Sequence, residues 1–246
     1  MPKQYAVTAK VRRPIRIPLE VYPNCDVAPL HTTIDPLTKE HKVLFLWMPK
    51  VAGMSISRAL SSAYGLRYRA LENRPEQFTP DLRAVTFYHS HVPTLSDCGV
   101  LPHQWMNDAF KFAFVRNPWD RLVSLYHWLG YKKSGPPFED FIYSVVKGNY
   151  ERPGKVNIRG LYQANRLVDW LRPEGLWLPD YIGKFESLNT DWVTIQKILG
   201  ISVHLPHGNK SSHKPYPHYY NDETRRLVEK RFEEDIDLFK YTFQEK

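Results

Sequence analysis

The sequence has 246 residues, with 34 Lys and Arg against 26 Asp and Glu for a formal net charge of +8, and it is 42% hydrophobic, 24% charged and 14% aromatic. That composition fits a single globular α/β domain and excludes a disordered or repeat-built chain, while the charge favours anionic ligands without choosing between nucleotides, acidic glycans, nucleic acid and lipid headgroups. The basic residues are scattered rather than clustered, which argues against nucleic-acid recognition, and the two cysteines, Cys25 and Cys98, are too few for a disulfide framework or a cysteine-based zinc site.

Residues 1–40 read as an extended N-terminal arm, broken by Pro2, Pro14, Pro18, Pro23, Pro29 and Pro36. They carry no apolar run of the length a signal peptide or membrane anchor needs, so the expectation is a cytoplasmic protein without membrane insertion. Residues 41–246 read as one domain. It opens with Lys42 to Trp47, KVLFLW, whose continuous apolar character is that of a buried parallel strand. The turn Met48-Pro49-Lys50-Val51-Ala52-Gly53 follows at once. A helix is expected next, with Ile56, Ala59, Leu60 and Ala63 on one face and Gly65 as its stop.

Ala84 to Tyr88 reads as a second strand, ending at His89-Ser90-His91. A third, Phe112 to Val115, leads into Arg116-Asn117-Pro118-Trp119-Asp120. There Asn117 can cap a helix, Pro118 suits its first position, Asp120 can complete the cap, and Trp119, Leu122, Val123 and Tyr126 form a buried stripe. Further helices are expected at Phe138 to Lys147, Tyr162 to Leu171, Asp191 to Leu199 and Asp222 to Phe239, with a strand near Tyr181 to Phe185. Strands alternating with helices imply a three-layer α/β/α fold around a central parallel sheet, similar to P-loop nucleotide-binding folds. In such sheets ligands bind beyond the carboxyl ends of the strands, where Lys50, His89, His91 and Arg116 all stand.

Two of these strand ends suit anions. The turn from Pro49 to Ser55 directs backbone N–H groups at one spot, the helix dipole adds positive potential, Lys50 brings an ammonium, and Ser55 and Ser57 bring hydroxyls. The same stretch also fits an ordinary strand-to-helix turn with an exposed lysine; it is not a Walker A loop, because Lys50 precedes Gly53. At the second strand end Arg116 can grip a phosphate with two N–H groups and Ser124 can donate to the same group, although Arg116 is equally able to pair with a carboxylate. A nucleotide with separated 3′ and 5′ anionic groups needs two such cradles. The His89–His91 pair fits acid–base work or two ligands of a zinc site that lacks its third. The aromatic and basic stretch from Tyr126 to Lys133 fits sugar stacking or core packing.

PKVAGMSI resembles the 5′-phosphosulfate loop, and FVRNPWDRLVSLY the 3′-phosphate motif, of the Golgi-type carbohydrate sulfotransferases and their bacterial relatives. FYHSHV, Phe87 to Val92, is similar to the catalytic segment of heparan and dermatan 2-O-sulfotransferases. IGKFESL and the tail NKSSHKPYPHYY match the same family, so the resemblance runs from about Val43 to Tyr241. It implies a sulfotransferase that moves the sulfuryl group of 3′-phosphoadenosine 5′-phosphosulfate (PAPS) to an acceptor hydroxyl, a saccharide's by the His-Ser-His likeness. The product would be 3′-phosphoadenosine 5′-phosphate (PAP), and no metal would be required. Cofactor binding would fall to Lys50, Ala52, Gly53, Met54, Ser55, Arg116, Ser124, Lys210 and Ser212, and catalysis to His91 as base, Lys50 at the leaving group and His89 beside them. Val51 and Met54 stand where the family usually has threonines. Animal relatives work in the Golgi behind an anchor, so a Golgi lumen location is expected only if an anchor was removed. Two rival readings are a nucleotide-dependent phosphotransferase, for which no convincing magnesium-holding set is present, and a non-catalytic binder of acidic glycans.

Overall fold

The computed structural model describes residues 42–65, 84–86, 102–147, 164–206 and 213–244. Strand β1 (Val43–Leu46) is buried at every position, as its unbroken apolar sequence requires. Helix α1 (Gly53–Tyr64) buries Ile56, Ala59 and Leu60 and ends on Gly65 in the left-handed conformation. Strand β2 (Ala84–Thr86) and the short helix α2 (His103–Asp108) precede β3 (Phe110–Val115), which is also buried throughout. Helix α3 (Pro118–Trp128) carries Trp119, Leu122, Val123 and Tyr126 on its buried side, as the spacing predicts. After it come α4 (Tyr131–Ser134), α5 (Phe138–Lys147), α6 (Leu167–Leu171), β4 (Tyr181–Lys184), α7 (Leu188–Leu199), α8 (Asp222–Arg231) and α9 (Glu233–Phe239).

The four strands form one parallel sheet in the order β2-β1-β3-β4, with Phe45 opposite both Thr86 and Phe112, and Val115 opposite Lys184. From β1 the chain moves outward to β2, and from β3 it moves outward the other way to β4. Right-handed crossovers in opposite directions place α1 and α3 on opposite faces, which makes three layers. The strand order therefore reverses between β1 and β3, and a crevice opens beyond their carboxyl ends. One apolar cluster surrounds the sheet with α1, α6 and α7; a second joins α3, α5 and α8. No helix of the described residues is long and apolar enough to cross a membrane.

Two helices differ from expectation. The predicted Tyr162 to Leu171 helix lies in the described residues only from 164 on, and there the α-helix begins at Leu167, where Asp235 accepts from the N–H groups of Leu167 and Val168, each at 2.8 Å. The predicted helix from Asp222 to Phe239 breaks at Phe232, whose φ of −112° and ψ of 21° leave helical geometry and whose ring is fully buried. The kink turns α9 so that Asp235, only 1% exposed, reaches α6.

Asp235 also faces the buried guanidinium of Arg121 on α3, which donates to the Asn165 carbonyl and lies 5.5 Å from the Phe232 ring. Burial raises the carboxyl of Asp235 above the ordinary carboxylate range, although Arg121 and the two N–H groups pull it back. Burial likewise lowers Arg121 to about 10, with Asp235 opposing the shift. Removing one member of such a buried pair leaves the other uncompensated. Asp235→Ala is expected to cost about 3–5 kcal/mol of stability in urea titration, and a loss under about 0.5 kcal/mol, the range of ordinary surface changes, would contradict this account.

Candidate active site

β1 hands the chain to a turn in which Lys50 and Ala52 both have φ of 66°, a left-handed conformation that non-glycine residues seldom adopt. Gly53 then begins α1. A Cβ there would lie 1.8 Å from Nε1 of Trp47, so the close approach of the turn to the Trp47 ring requires glycine. Helix α1 has Ala52 at its N-cap, no capping side-chain bond and no acidic residue in its first turn. The N–H groups of Ser55 and Ile56 both turn back to the Ala52 carbonyl, at 3.0 and 3.2 Å, and the first-turn N–H groups of Gly53 and Met54 precede any intrahelical acceptor. The positive end of the helix dipole, with no capping side chain, and a lysine thus converge at one place.

Val51 is fully buried in the core, so the residue standing where the family usually has a threonine points away from the crevice. Met54 is half-buried against the same core, and Ser55 is half-buried. The Ser57 hydroxyl is completely buried and has no hydrogen-bond partner among the described residues, which removes it from the expected set of donors to a ligand.

β3 delivers Arg116 to the same crevice. Its Nη1 donates to the Lys50 carbonyl at 3.1 Å, its Nε and Nη2 both reach Oδ2 of Asp120 at 2.8 Å, and its guanidinium lies 3.9 Å from the Phe185 ring centroid. A guanidinium carries five N–H donors. With three engaged, one hydrogen on each terminal nitrogen has no partner among the described residues. Arg116 therefore does pair with a carboxylate, and still keeps two donors for a ligand. Asp120, expected to help cap α3, serves Arg116 instead. The cap comes from Asn117, whose side chain accepts from the N–H groups of Trp119 and Asp120 at 3.1 and 3.4 Å.

Lys50 and Arg116 are two cations sharing a crevice, with Asp120 paired to Arg116. Burial, and then the charge of Arg116, lower Lys50 from 10.5 to about 8. Its Nζ sits 5.3 Å from the ring of Trp128, at the last position of α3. Asp120, Ser124 and Trp128 recur every four residues after Arg116, a spacing that keeps them on one face of α3. Ser124 is 6% exposed.

Sequence reasoning missed Phe185, the platform beneath Arg116, and Glu186, which accepts from the Asn117 N–H at 2.7 Å and the Tyr241 hydroxyl at 3.1 Å. Both lie within the motif IGKFESL, but their roles depend on the pairing of β3 with β4, which the motif does not spell out. A cavity of about 370 Å³ behind Asp120 includes Asn117, Glu186, Tyr216 and His218 in its lining and is acidic, so it does not extend the anion site. His89, His91, Lys210 and Ser212 lie outside the described residues. Among the described residues no three His, Cys, Asp or Glu side chains gather to hold a metal.

The turn yields opposite expectations at adjacent positions. Ala52→Gly relieves a left-handed residue and should raise stability by about 1 kcal/mol, whereas Gly53→Ala forces an overpacked contact with Trp47 and should lower it by about 1–3 kcal/mol. Urea denaturation of both variants checks the pair, and a stabilised Gly53→Ala would show that Trp47 yields freely.

The residues from 36 to 242 match the model of a sulfotransferase family. Carbohydrate sulfotransferase 10 of Xenopus laevis is 24% identical over 248 residues, an alignment covering 83% of this chain and 66% of that protein. Its namesake from Danio rerio is 23% identical over 245 residues, covering 82% of this chain and 64% of the relative. The chain thus spans just under two thirds of the length of these curated relatives. A crystal structure of the mouse sulfotransferase SULT7A1 complexed with PAP aligns with 85% of this chain and 91% of its own, at 13% identity and a TM-score of 0.49. With a family match running from residue 36 to residue 242, and the loop and arginine motifs meeting in one crevice, the chain belongs to the sulfotransferase family.

Proposed function

We propose that this protein transfers a sulfuryl group from PAPS to a hydroxyl of a carbohydrate acceptor by in-line displacement. The observation that carries the reading is the juxtaposition of Lys50 and Arg116, joined by the bond from Nη1 to the Lys50 carbonyl, at the reversal of strand order. An adenosine with anionic groups at both ends needs two cradles at fixed spacing. Here the Lys50 turn is tied to the Arg116 turn before any ligand arrives.

In this reading the first-turn amides of α1, the Lys50 ammonium and the Ser55 hydroxyl hold the 5′ end, while the two remaining donors of Arg116 and the Ser124 hydroxyl hold the 3′-phosphate. When bound, PAPS supplies the sulfuryl group that passes to the acceptor oxygen. Lys50 neutralises charge on the departing phosphate, and its lowered pKa still leaves it mostly protonated at neutral pH. His91 takes the acceptor's proton and His89 supports it. In favour of these two roles, β2 lies parallel beside β1 with Thr86 opposite Phe45, so the chain leaves β2 at the sheet edge where Lys50 stands. Lys210 and Ser212 add to the nucleotide's contacts, and the catalytic domain takes in residues 41–246. No metal is called for, because the site's own cations meet the charge.

Calorimetric titration with PAP in the absence of magnesium should give a dissociation constant on the order of micromolar. Arg116→Lys, which keeps the charge but loses the fork, should weaken binding by at least about tenfold. A wild-type protein that does not bind PAP would reject the assignment. His91→Ala should bind PAP normally yet fail to move radiolabelled sulfate from PAPS to a mixed oligosaccharide pool, and retained transfer would remove His91 from its role.

The Lys50 shift fixes the pH dependence. Between about 8 and 10.5 the unfolded chain keeps a proton that folded Lys50 has lost, so this group's contribution to stability rises with pH in that window. Anion binding needs the ammonium and runs the opposite way. PAP affinity should be flat from about pH 7 to 7.5, above the second ionisation of its phosphates at about 6, and weaken by up to about tenfold per pH unit above 8, with Lys50→Arg flattening the profile. Wild-type affinity that stays constant to pH 9.5 would exclude Lys50 from the phosphate.

A further inference from the structure

Trp128 ends α3, and it is 51% exposed although the other aromatic residues of that helix, Trp119 and Tyr126, are buried. It does not sit on a frayed end. The preceding residue, His127, holds the Tyr219 hydroxyl at 2.7 Å through Nε2 and stacks on His213 at 5.0 Å, and the Tyr126 hydroxyl donates to the Pro136 carbonyl at 2.9 Å. The backbone of the last turn is therefore fixed while the indole remains open to ligand. The ring lies 5.3 Å from Lys50 Nζ, the group placed at the reacting phosphate, and one turn beyond Ser124 on the same helix face. Arg116, which leads into the helix from β3, stands at the opposite end of that face. A nucleotide lying between the Lys50 turn, Arg116 and Ser124 leaves Trp128 on the side away from its 3′-phosphate.

We propose that Trp128 is the aromatic platform on which the acceptor's sugar ring stacks, making it a specificity-determining residue for the acceptor rather than for the nucleotide. This inference rests on the sulfotransferase reading above. An indole offers a large, flat apolar face with a polar edge, suited to the axial C–H face of a pyranose. Lys50 lies over one face of the indole at 5.3 Å from its centroid, which leaves the other face to the sugar ring and keeps the stacked acceptor beside the group placed at the reacting phosphate. The cation of Lys50 already holds the indole in place and keeps the platform oriented before the sugar arrives.

The test uses PAP-loaded protein and an equimolar mixture of unsulfated chondroitin, heparosan and N-acetyllactosamine oligosaccharides, read by saturation-transfer NMR. The wild type should transfer saturation to the ring protons of at least one oligosaccharide, Trp128→Ala should reduce that transfer by at least about fivefold, and Trp128→Phe should retain most of it. PAP affinity, measured in parallel, should be unchanged in both variants. Absence of transfer from the PAP-loaded wild type, undiminished transfer from Trp128→Ala, or a parallel loss of PAP affinity would each overturn the platform. Failure of the wild type to bind PAP would instead defeat the sulfotransferase reading on which it rests.

Discussion

A single hydrogen bond from the Arg116 side chain to the Lys50 carbonyl ties together the turns that leave the two central strands. It spans the place where strand order reverses, and it brings two positive side chains to within interaction range of each other, with Asp120 paired to one of them. Like charges at such proximity are costly in a ligand-free protein. The rest of the fold supplies what makes the arrangement tolerable: a fully buried pair of strands beneath it, Phe185 against the guanidinium plane, and Glu186 holding the start of α3 through the Asn117 N–H.

A second tier holds α3 from behind. Arg121, on the buried side of the helix that carries Ser124 and Trp128, shares an interior site with Asp235 and the Asn165 carbonyl. Asp235 in turn starts α6. The C-terminal helices thus take part in placing the site, which is consistent with a family match extending to residue 242.

Much of this was legible in the chain. Unbroken apolar runs gave β1 and β3, and the Asn-Pro-Trp-Asp start and the stripe of Trp119, Leu122, Val123 and Tyr126 gave α3. The order of the Lys50 loop and the Arg116 motif pointed to two anion cradles on one sheet edge. What could not be read depends on contacts distant in sequence. Asp120 stands in a capping position, yet its partner is Arg116; the Phe232 kink answers to Asp235 finding α6; Ser57 lies next to the loop but faces inward. Trp128 fell inside a stretch whose spacing fits sugar stacking as well as core packing, and the spacing does not tell that Trp119 and Tyr126 are buried while Trp128 is exposed.

The stacking of Arg116 on Phe185, with a ring-to-guanidinium separation of 3.9 Å, has a kinetic corollary. An arginine normally surrenders several rotatable bonds when it clasps an anion, whereas this one is already immobilised on three sides. Little freedom remains to be lost at encounter, so nucleotides with and without a phosphate at that position should arrive at similar rates. Discrimination between them then falls to how long each one stays.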